Sequence, residues 1–143
     1  MSEACDFFLP VRVYIEDTDA GGIVFYANYL KFMERARTER IRSLGFPRLE
    51  TLNPDVLFVV HSLSVRYHGP ARLDDLLHVT ADMTGLGRTW MDFEQTVLRP
   101  EDGAVLTRGQ VRVACIDRER QRPVAMPATL RAALQPIIKE PVA

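Results

Sequence analysis

The chain is short of several things at once, and each shortage closes a route. It has only two cysteines in 143 residues, Cys5 and Cys115, far apart and in no metal-ligand spacing. Cys115 falls in a strand-like segment and reads as core rather than as a nucleophile. Charge of neither sign dominates. Eighteen Lys and Arg against nineteen Asp and Glu leave a formal charge of −1, and no global field that would draw nucleic acid or an acidic membrane. No apolar run approaches the ~20 residues of a membrane span. The opening MSEACDFFLP lacks a basic stretch leading into a sustained apolar one, so it does not read as a secretory signal. The expectation is a cytoplasmic, reduced protein. P-loop, G-x-S-x-G and H-E-x-x-H motifs are all missing, which removes three large enzyme classes.

What is present is ordinary in bulk: 47% hydrophobic and 26% charged residues. Residues 1–143 are expected to form one domain, long enough to bury roughly two thirds of its unfolded surface without staples. FFLPVRVYIE, residues 7 to 16, alternates as a strand, with Pro10 placing it at a sheet edge. ANYLKFMERARTERIRSLGFP carries a helical stripe (Leu30, Met33, Arg37, Ile41 and Leu44, with Tyr29, Phe32, Ala36 and Arg40 beside it) opposite Lys31, Glu34, Arg35, Glu39 and Arg42. That pattern predicts one long helix. Asn28 is placed to cap its start, and Gly45 and Pro47 to stop it. Beyond a loop at Asn53-Pro54 the period changes to two. VLFVVHSLSVRYHG, LLHVTADMTG, TWMDFEQTVL and AVLTRGQVRVACID predict four strands in succession. ATLRAALQPIIKE predicts a short last helix broken at Pro136. Strand, helix, then a run of strands is the order of an α+β fold with an antiparallel sheet.

The chemistry concentrates in DTDAGG, residues 17 to 22. A calcium loop would put Asp17, Asp19 and Gly22 at its first, third and sixth positions, but its twelfth would be Asn28, which offers no bidentate carboxylate. An aspartyl-phosphate enzyme also uses D-x-D after a strand, on a parallel α/β fold that this element order does not match. A third reading sets a single aspartate in a glycine turn just before a helix N-terminus, where backbone N–H groups lack partners. Such a set can hold an oxyanion while a carboxylate attacks or activates water. A thioester suits it, since its carbonyl is weakly resonance-stabilised and its thiolate leaves readily. The plainest reading leaves Asp17, Thr18 and Asp19 as turn and capping residues only.

VYIEDTDAGGIVFYANYLKFMERARTE resembles the signature of the YbgC-type acyl-CoA thioesterases of the 4-hydroxybenzoyl-CoA thioesterase family. FVVHSLSVRYHGPARLDD and the strands after it are similar as well, so the likeness covers most of the chain. It implies the hotdog fold, a long helix wrapped by an antiparallel sheet, with dimers often paired into tetramers and active sites at subunit interfaces. It places the catalytic carboxylate on Asp19 and the carbonyl-polarising backbone amide on Tyr26, leaving Asp17 to shape the turn. Many such sequences carry Tyr-His where this one has Phe25-Tyr26, so an imidazole is missing here while the amide remains. Arg88, with Thr89, lines up with a basic site near the CoA nucleotide. His61 falls by parity on the apolar side of its strand, the place of a core or interface histidine or of one near substrate. Arg118, Arg120 and Arg122 form a second basic cluster. No metal and no cofactor are implied, CoA being the substrate's handle. Two alternatives stand beside acyl-CoA hydrolysis: hydration chemistry on the same fold, disfavoured by a helix without histidine, and a scaffold that binds acyl carrier protein.

Overall fold

In a computed structural model, which describes residues 7–48 and 54–139, the chain runs β1 (Phe8–Arg12), α1 (Asn28–Arg42), β2 (Val56–Tyr67), β3 (Leu76–Thr80), β4 (Asp82–Leu86), β5 (Trp90–Arg99), β6 (Ala104–Asp117) and α2 (Ala128–Leu134). Cys5 and Asn53 lie outside the described residues. The strands hydrogen-bond in the order β1-β3-β5-β6-β2, with β4 also on β5. The registers of β1 with β3, β3 with β5 and β4 with β5 are antiparallel. Pro10 sits on β1 opposite His78, at the edge of the sheet, where a residue without an amide hydrogen does no harm.

Two compact units are distinguishable. The first draws on Met1–Arg40, Val65–Ala81 and Gln95–Gly109. Its core is the inner face of α1 (Tyr29, Phe32, Met33 and Ala36) with Leu77, Val79, Ala81 and Val97 from the strands, all nearly or fully buried. Burying each large apolar side chain contributes ~1.5–3 kcal/mol. This core also holds Gln95, a polar residue with no exposed surface. Its Nε2 donates to the Met33 and Thr80 carbonyls at 2.9 and 3.0 Å, and its Oε1 accepts from Arg37 Nη1 at 2.9 Å. Burial therefore leaves this amide paired.

The second unit draws on Ile41–Ser64, Asp82–Glu94 and Gln110–Ala143. Met83, Met91, Phe93, Val111, Val113 and Cys115 form its strand core, with Leu130 and Leu134 supplied by α2. As expected, α2 gives way to a 3-10 turn, Gln135–Ile137, at Pro136.

Three expectations need correction. The strand expected over residues 7 to 16 ends at Arg12, and Ile15–Asp17 is a 3-10 turn. LLHVTADMTG is two strands, β3 and β4, separated at Ala81. The Thr80 carbonyl is taken by Gln95 and the Thr80 hydroxyl by the Thr96 N–H at 2.8 Å, so side-chain bonds replace regular pairing there. In β2 the alternation does not become alternating burial: residues 59 to 64 are all exposed, His61 among them. This strand lies at the other sheet edge, and the apolar parity set Val59, His61 and Leu63 has no cover within the described chain.

Candidate active site

The first unit builds a closely bonded turn between β1 and α1. After β1 the chain is anchored by Val13 N–H to Asp75 O at 2.9 Å and Asp74 N–H to Val13 O at 3.0 Å. A 3-10 turn follows at Ile15–Asp17, and the Asp17 carboxylate accepts the Tyr14 N–H at 2.9 Å. The Asp17 carbonyl accepts twice, from Phe25 N–H at 3.0 Å and from Asn28 Nδ2 at 2.8 Å. Asp17 thus shapes the turn. Asn28 is the first helical residue, and its side chain ties α1 back to the turn instead of capping a helix N–H.

Between them runs a tight loop. Thr18 and Val24 form a bridge, Asp19 N–H donates to Ile23 O at 2.9 Å, and Gly22 N–H donates to Asp19 O at 3.1 Å. Gly22 has φ +80°, the left-handed region that glycine enters without strain. Gly21 N–H donates to Asp19 Oδ1 at 2.8 Å, and a Cβ on Gly21 would lie 3.3 Å from that oxygen. Gly21 is therefore matched to the aspartate side chain at position 19, and Gly22 to the backbone turn. Asp19 is exposed, and its second carboxylate oxygen accepts no bond from the described residues.

Just before α1, Phe25 and Tyr26 are exposed. The Tyr26 carbonyl accepts the Tyr67 hydroxyl at 3.0 Å, while its N–H donates to none of the described residues. Tyr67 stands edge-on to Tyr26 and to Tyr29, with ring centroids 6.2 and 5.6 Å apart. The Tyr29 hydroxyl accepts the Ala71 N–H at 2.9 Å. Burial is the main cause that pushes the Tyr29 and Tyr67 phenols up, so both stay protonated at neutral pH. Asp19 and Tyr26 thus belong to one bonded segment, Asp17 to Tyr29. Sequence reasoning missed Tyr67, 41 residues from its acceptor.

The remaining expected residues lie in the second unit. Arg88 and Thr89 occupy the turn before β5, where their carbonyls accept from Met126 N–H at 3.1 Å and Cys115 N–H at 2.8 Å. The Arg88 side chain is left exposed. His61 is exposed on β2. Of the second basic cluster, Arg118 is engaged structurally, its Nε donating to Pro54 O at 2.7 Å. Among the described residues no three His, Cys, Asp or Glu side chains are grouped to hold a metal ion, and no helix is long and apolar enough to cross a membrane.

The thioesterase superfamily model matches residues 21–106, a stretch that begins just after Asp19 and takes in the two glycines of the turn, the exposed Tyr26 amide and the elements from α1 to β5. The chain belongs to the thioesterase superfamily. Among its relatives is an acyl-CoA thioester hydrolase YbgC of Escherichia coli O157:H7, 41% identical over 126 residues, 88% of this chain and 93% of that protein. An acyl-CoA thioesterase YbgC of Haemophilus influenzae is 44% identical over 128 residues, 89% of this chain and 93% of that one. A crystal structure of a probable thioesterase from Bartonella henselae superposes with TM-score 0.74 at 32% identity, covering 85% of this chain and 98% of that one. A 1,4-dihydroxy-2-naphthoyl-CoA thioesterase from Synechocystis superposes with TM-score 0.84 at 21% identity, a likeness of fold, over 90% of this chain and 95% of that one. The thioesterase superfamily member described here has their α+β hotdog fold.

Proposed function

We propose that the protein hydrolyses an acyl-CoA to free acid and CoA, with Asp19 as the reacting carboxylate and the Tyr26 N–H as the oxyanion donor. The observation that carries this reading is the pairing of two free valences on one hydrogen-bonded segment. Asp19 keeps one carboxylate oxygen clear of the turn, and Tyr26 keeps its amide N–H clear of the backbone ladder. The relatives' names, acyl-CoA thioester hydrolase and acyl-CoA thioesterase, supply the substrate class.

The thioester oxygen accepts the Tyr26 N–H, so negative charge gathering on it in the tetrahedral intermediate is stabilised by a preorganised dipole. In one route Asp19 attacks the carbonyl carbon and the C–S bond breaks, giving a mixed anhydride and CoA thiolate. Water then cleaves the anhydride. In the other route Asp19 takes a proton from water as the water attacks, and returns it as the thiolate leaves. Either needs a carboxylate at position 19 and no metal. Arg88, with Thr89, is proposed to meet the CoA phosphates, a task suited to a guanidinium fork. His61 is proposed to approach the substrate from a second copy of the chain. Support for that copy comes from β2, a twelve-residue edge strand exposing Val59, Val60 and Leu63, which is a template for pairing with another strand.

The test is thiol release from short, long and aromatic acyl-CoAs by the wild type and Asp19→Asn, both sized by sedimentation. The expected result is turnover on one class, lowered about 10³-fold or more in the variant at unchanged assembly. Rates indifferent to Asp19 would sink the mechanism. A complex with acyl carrier protein that forms equally well in the variant, without turnover, would replace hydrolysis by scaffolding.

A further inference from the structure

The Tyr26 N–H shares one planar peptide unit with the Phe25 carbonyl. That carbonyl accepts the Asn28 N–H at 2.8 Å, while the N–H has no partner among the described residues. A hydrogen bond taken up at the carbonyl polarises the unit and strengthens its N–H as a donor. The next unit, from Tyr26 to Ala27, needs a partner of its own. In an α-helix the Tyr26 carbonyl would accept the N–H four residues on, at Leu30. Here the Leu30 N–H goes to the Ala27 carbonyl at 3.1 Å, a tightened first turn. The Tyr26 carbonyl takes the Tyr67 hydroxyl instead, at 3.0 Å. Two planar units thus meet at the Tyr26 Cα, one held by Asn28 and the other by Tyr67. With both held, the two soft torsions of Tyr26 are set, and with them the direction of its N–H.

Tyr67 is well placed to hold its end. Its ring meets those of Tyr26 and Tyr29 edge-on, with centroids 6.2 and 5.6 Å apart. Tyr29 is itself buried, and its hydroxyl accepts the Ala71 N–H at 2.9 Å. The Ala71 carbonyl in turn accepts the Val24 N–H at 2.9 Å. Residues 67 to 71 therefore grip the chain before Tyr26, at it and after it, all within the first unit. Yet the Tyr67–Tyr26 bond is exposed, so water can replace it and its worth to the fold is small. Its value lies in direction.

We infer that Tyr67 is a positioning residue for thioester hydrolysis: its hydroxyl locks the Tyr26–Ala27 peptide and so aims the Tyr26 N–H at the substrate carbonyl. This role rests on that N–H acting as the oxyanion donor, as proposed. Tyr67 itself touches no reacting atom. Its contribution is felt where the donor bond is strongest, in the tetrahedral intermediate, and hardly in ground-state binding.

Tyr67→Phe removes the hydroxyl and leaves the ring for its contacts with Tyr26 and Tyr29. On the acyl-CoA that the wild type turns over best, kcat should fall about tenfold, with KM within about twofold and Tm within about 4 °C. A second readout uses the ketone analogue of that acyl-CoA, with a methylene in place of the thioester sulfur and an isotope-labelled carbonyl. The ketone cannot be hydrolysed, and a hydrogen bond to its oxygen lowers its C=O stretching frequency. Infrared difference spectra should show that red shift in the wild type and only part of it in Tyr67→Phe. A full red shift in the variant would overturn the role of Tyr67 and leave the Tyr26 donor standing. So would a rise in KM that accounts for the whole loss of activity, the mark of a ground-state contact. No red shift in the wild type would remove the Tyr26 donor itself, and the role of Tyr67 would fall with it.

Discussion

The side chain of Asn28 and the backbone N–H of Phe25 share one acceptor, the Asp17 carbonyl, at 2.8 and 3.0 Å. Asp17 is in turn bonded by its carboxylate to Tyr14 N–H. The start of α1 is thereby fixed to the turn that carries Asp19, and the Tyr26 amide lies in the stretch between. In the proposed mechanism Asn28 touches no substrate atom and acts only through this geometry. Asn28→Ala removes one part-buried hydrogen bond, worth about 1 kcal/mol, and should lower Tm by only about 3–4 °C. Misplacement of the amide should cost more, about 10–100-fold in kcat with KM within about twofold. An unchanged kcat would show that the tie does not position the site. Steady-state kinetics beside thermal melts separate the two effects.

The buried Gln95 joins α1 to two strands through Met33 O, Thr80 O and Arg37. Gln95→Leu keeps the volume roughly constant and leaves those groups without their partner. Burial is the main cause that lowers the affinity of Arg37 for its proton, so its guanidinium is partly desolvated where the acceptor is lost. The expected destabilisation is about 2–4 kcal/mol, read as a lower urea midpoint at unchanged slope. A neutral or stabilising result would show that the apolar core tolerates the orphaned carbonyls.

Much of this architecture was legible in the sequence, and the exceptions have a common cause. The stripe of α1 places Tyr29, Phe32, Met33 and Ala36 inside because helical periodicity is local. Pro10 announces an edge strand and DTDAGG a glycine turn for equally local reasons. The break at Ala81 was hidden because it is made by Gln95, whose Nε2 reaches the Thr80 carbonyl from the next strand. The Tyr67 hydroxyl on Tyr26 was hidden for the same reason, being a contact between segments far apart in the chain. Alternation in β2 misled about burial because parity tells which residues share a face, not whether anything covers it.

At the β5–β6 turn, Arg99 donates to both oxygens of Asp102, at 3.1 and 2.9 Å, and Ala104 N–H donates to Asp102 Oδ1 at 3.1 Å. The Arg99 bonds, and then the Ala104 amide, hold the Asp102 carboxyl below its ordinary range. A carboxyl depressed on folding adds stability that is fully present above its unfolded value, about 4, and is lost as pH falls through the folded value. Asp102→Asn should therefore be less stable than wild type at pH 7, and the gap should narrow below about pH 4. Urea midpoints measured from pH 7 down to pH 3 check this. A gap that stays constant throughout would mean the carboxylate's charge contributes nothing.

Gly87 donates its N–H to Trp90 O at 2.8 Å, and a Cβ at this position would fall inside the Trp90 indole. The obstacle is a ring that also carries the Arg112 guanidinium, 4.1 Å from its centroid, which is itself fixed by Asp92. Gly87→Ala must therefore displace either the turn or the indole, at a cost of about 1–3 kcal/mol for overpacking. Gly85→Ala is the natural contrast, because its Cβ would lie 3.2 Å from the Trp90 ring, a clash that a few tenths of an ångström relieves. Gly87→Ala should shift Trp90 emission and lower the urea midpoint, with Gly85→Ala changing both less. The Arg88 carbonyl bond to Met126 N–H spans the same turn, so acyl-CoA KM should rise in Gly87→Ala if this turn carries the CoA phosphates. An altered emission with KM unchanged would separate the packing of Trp90 from substrate binding and count against Arg88 as the phosphate site.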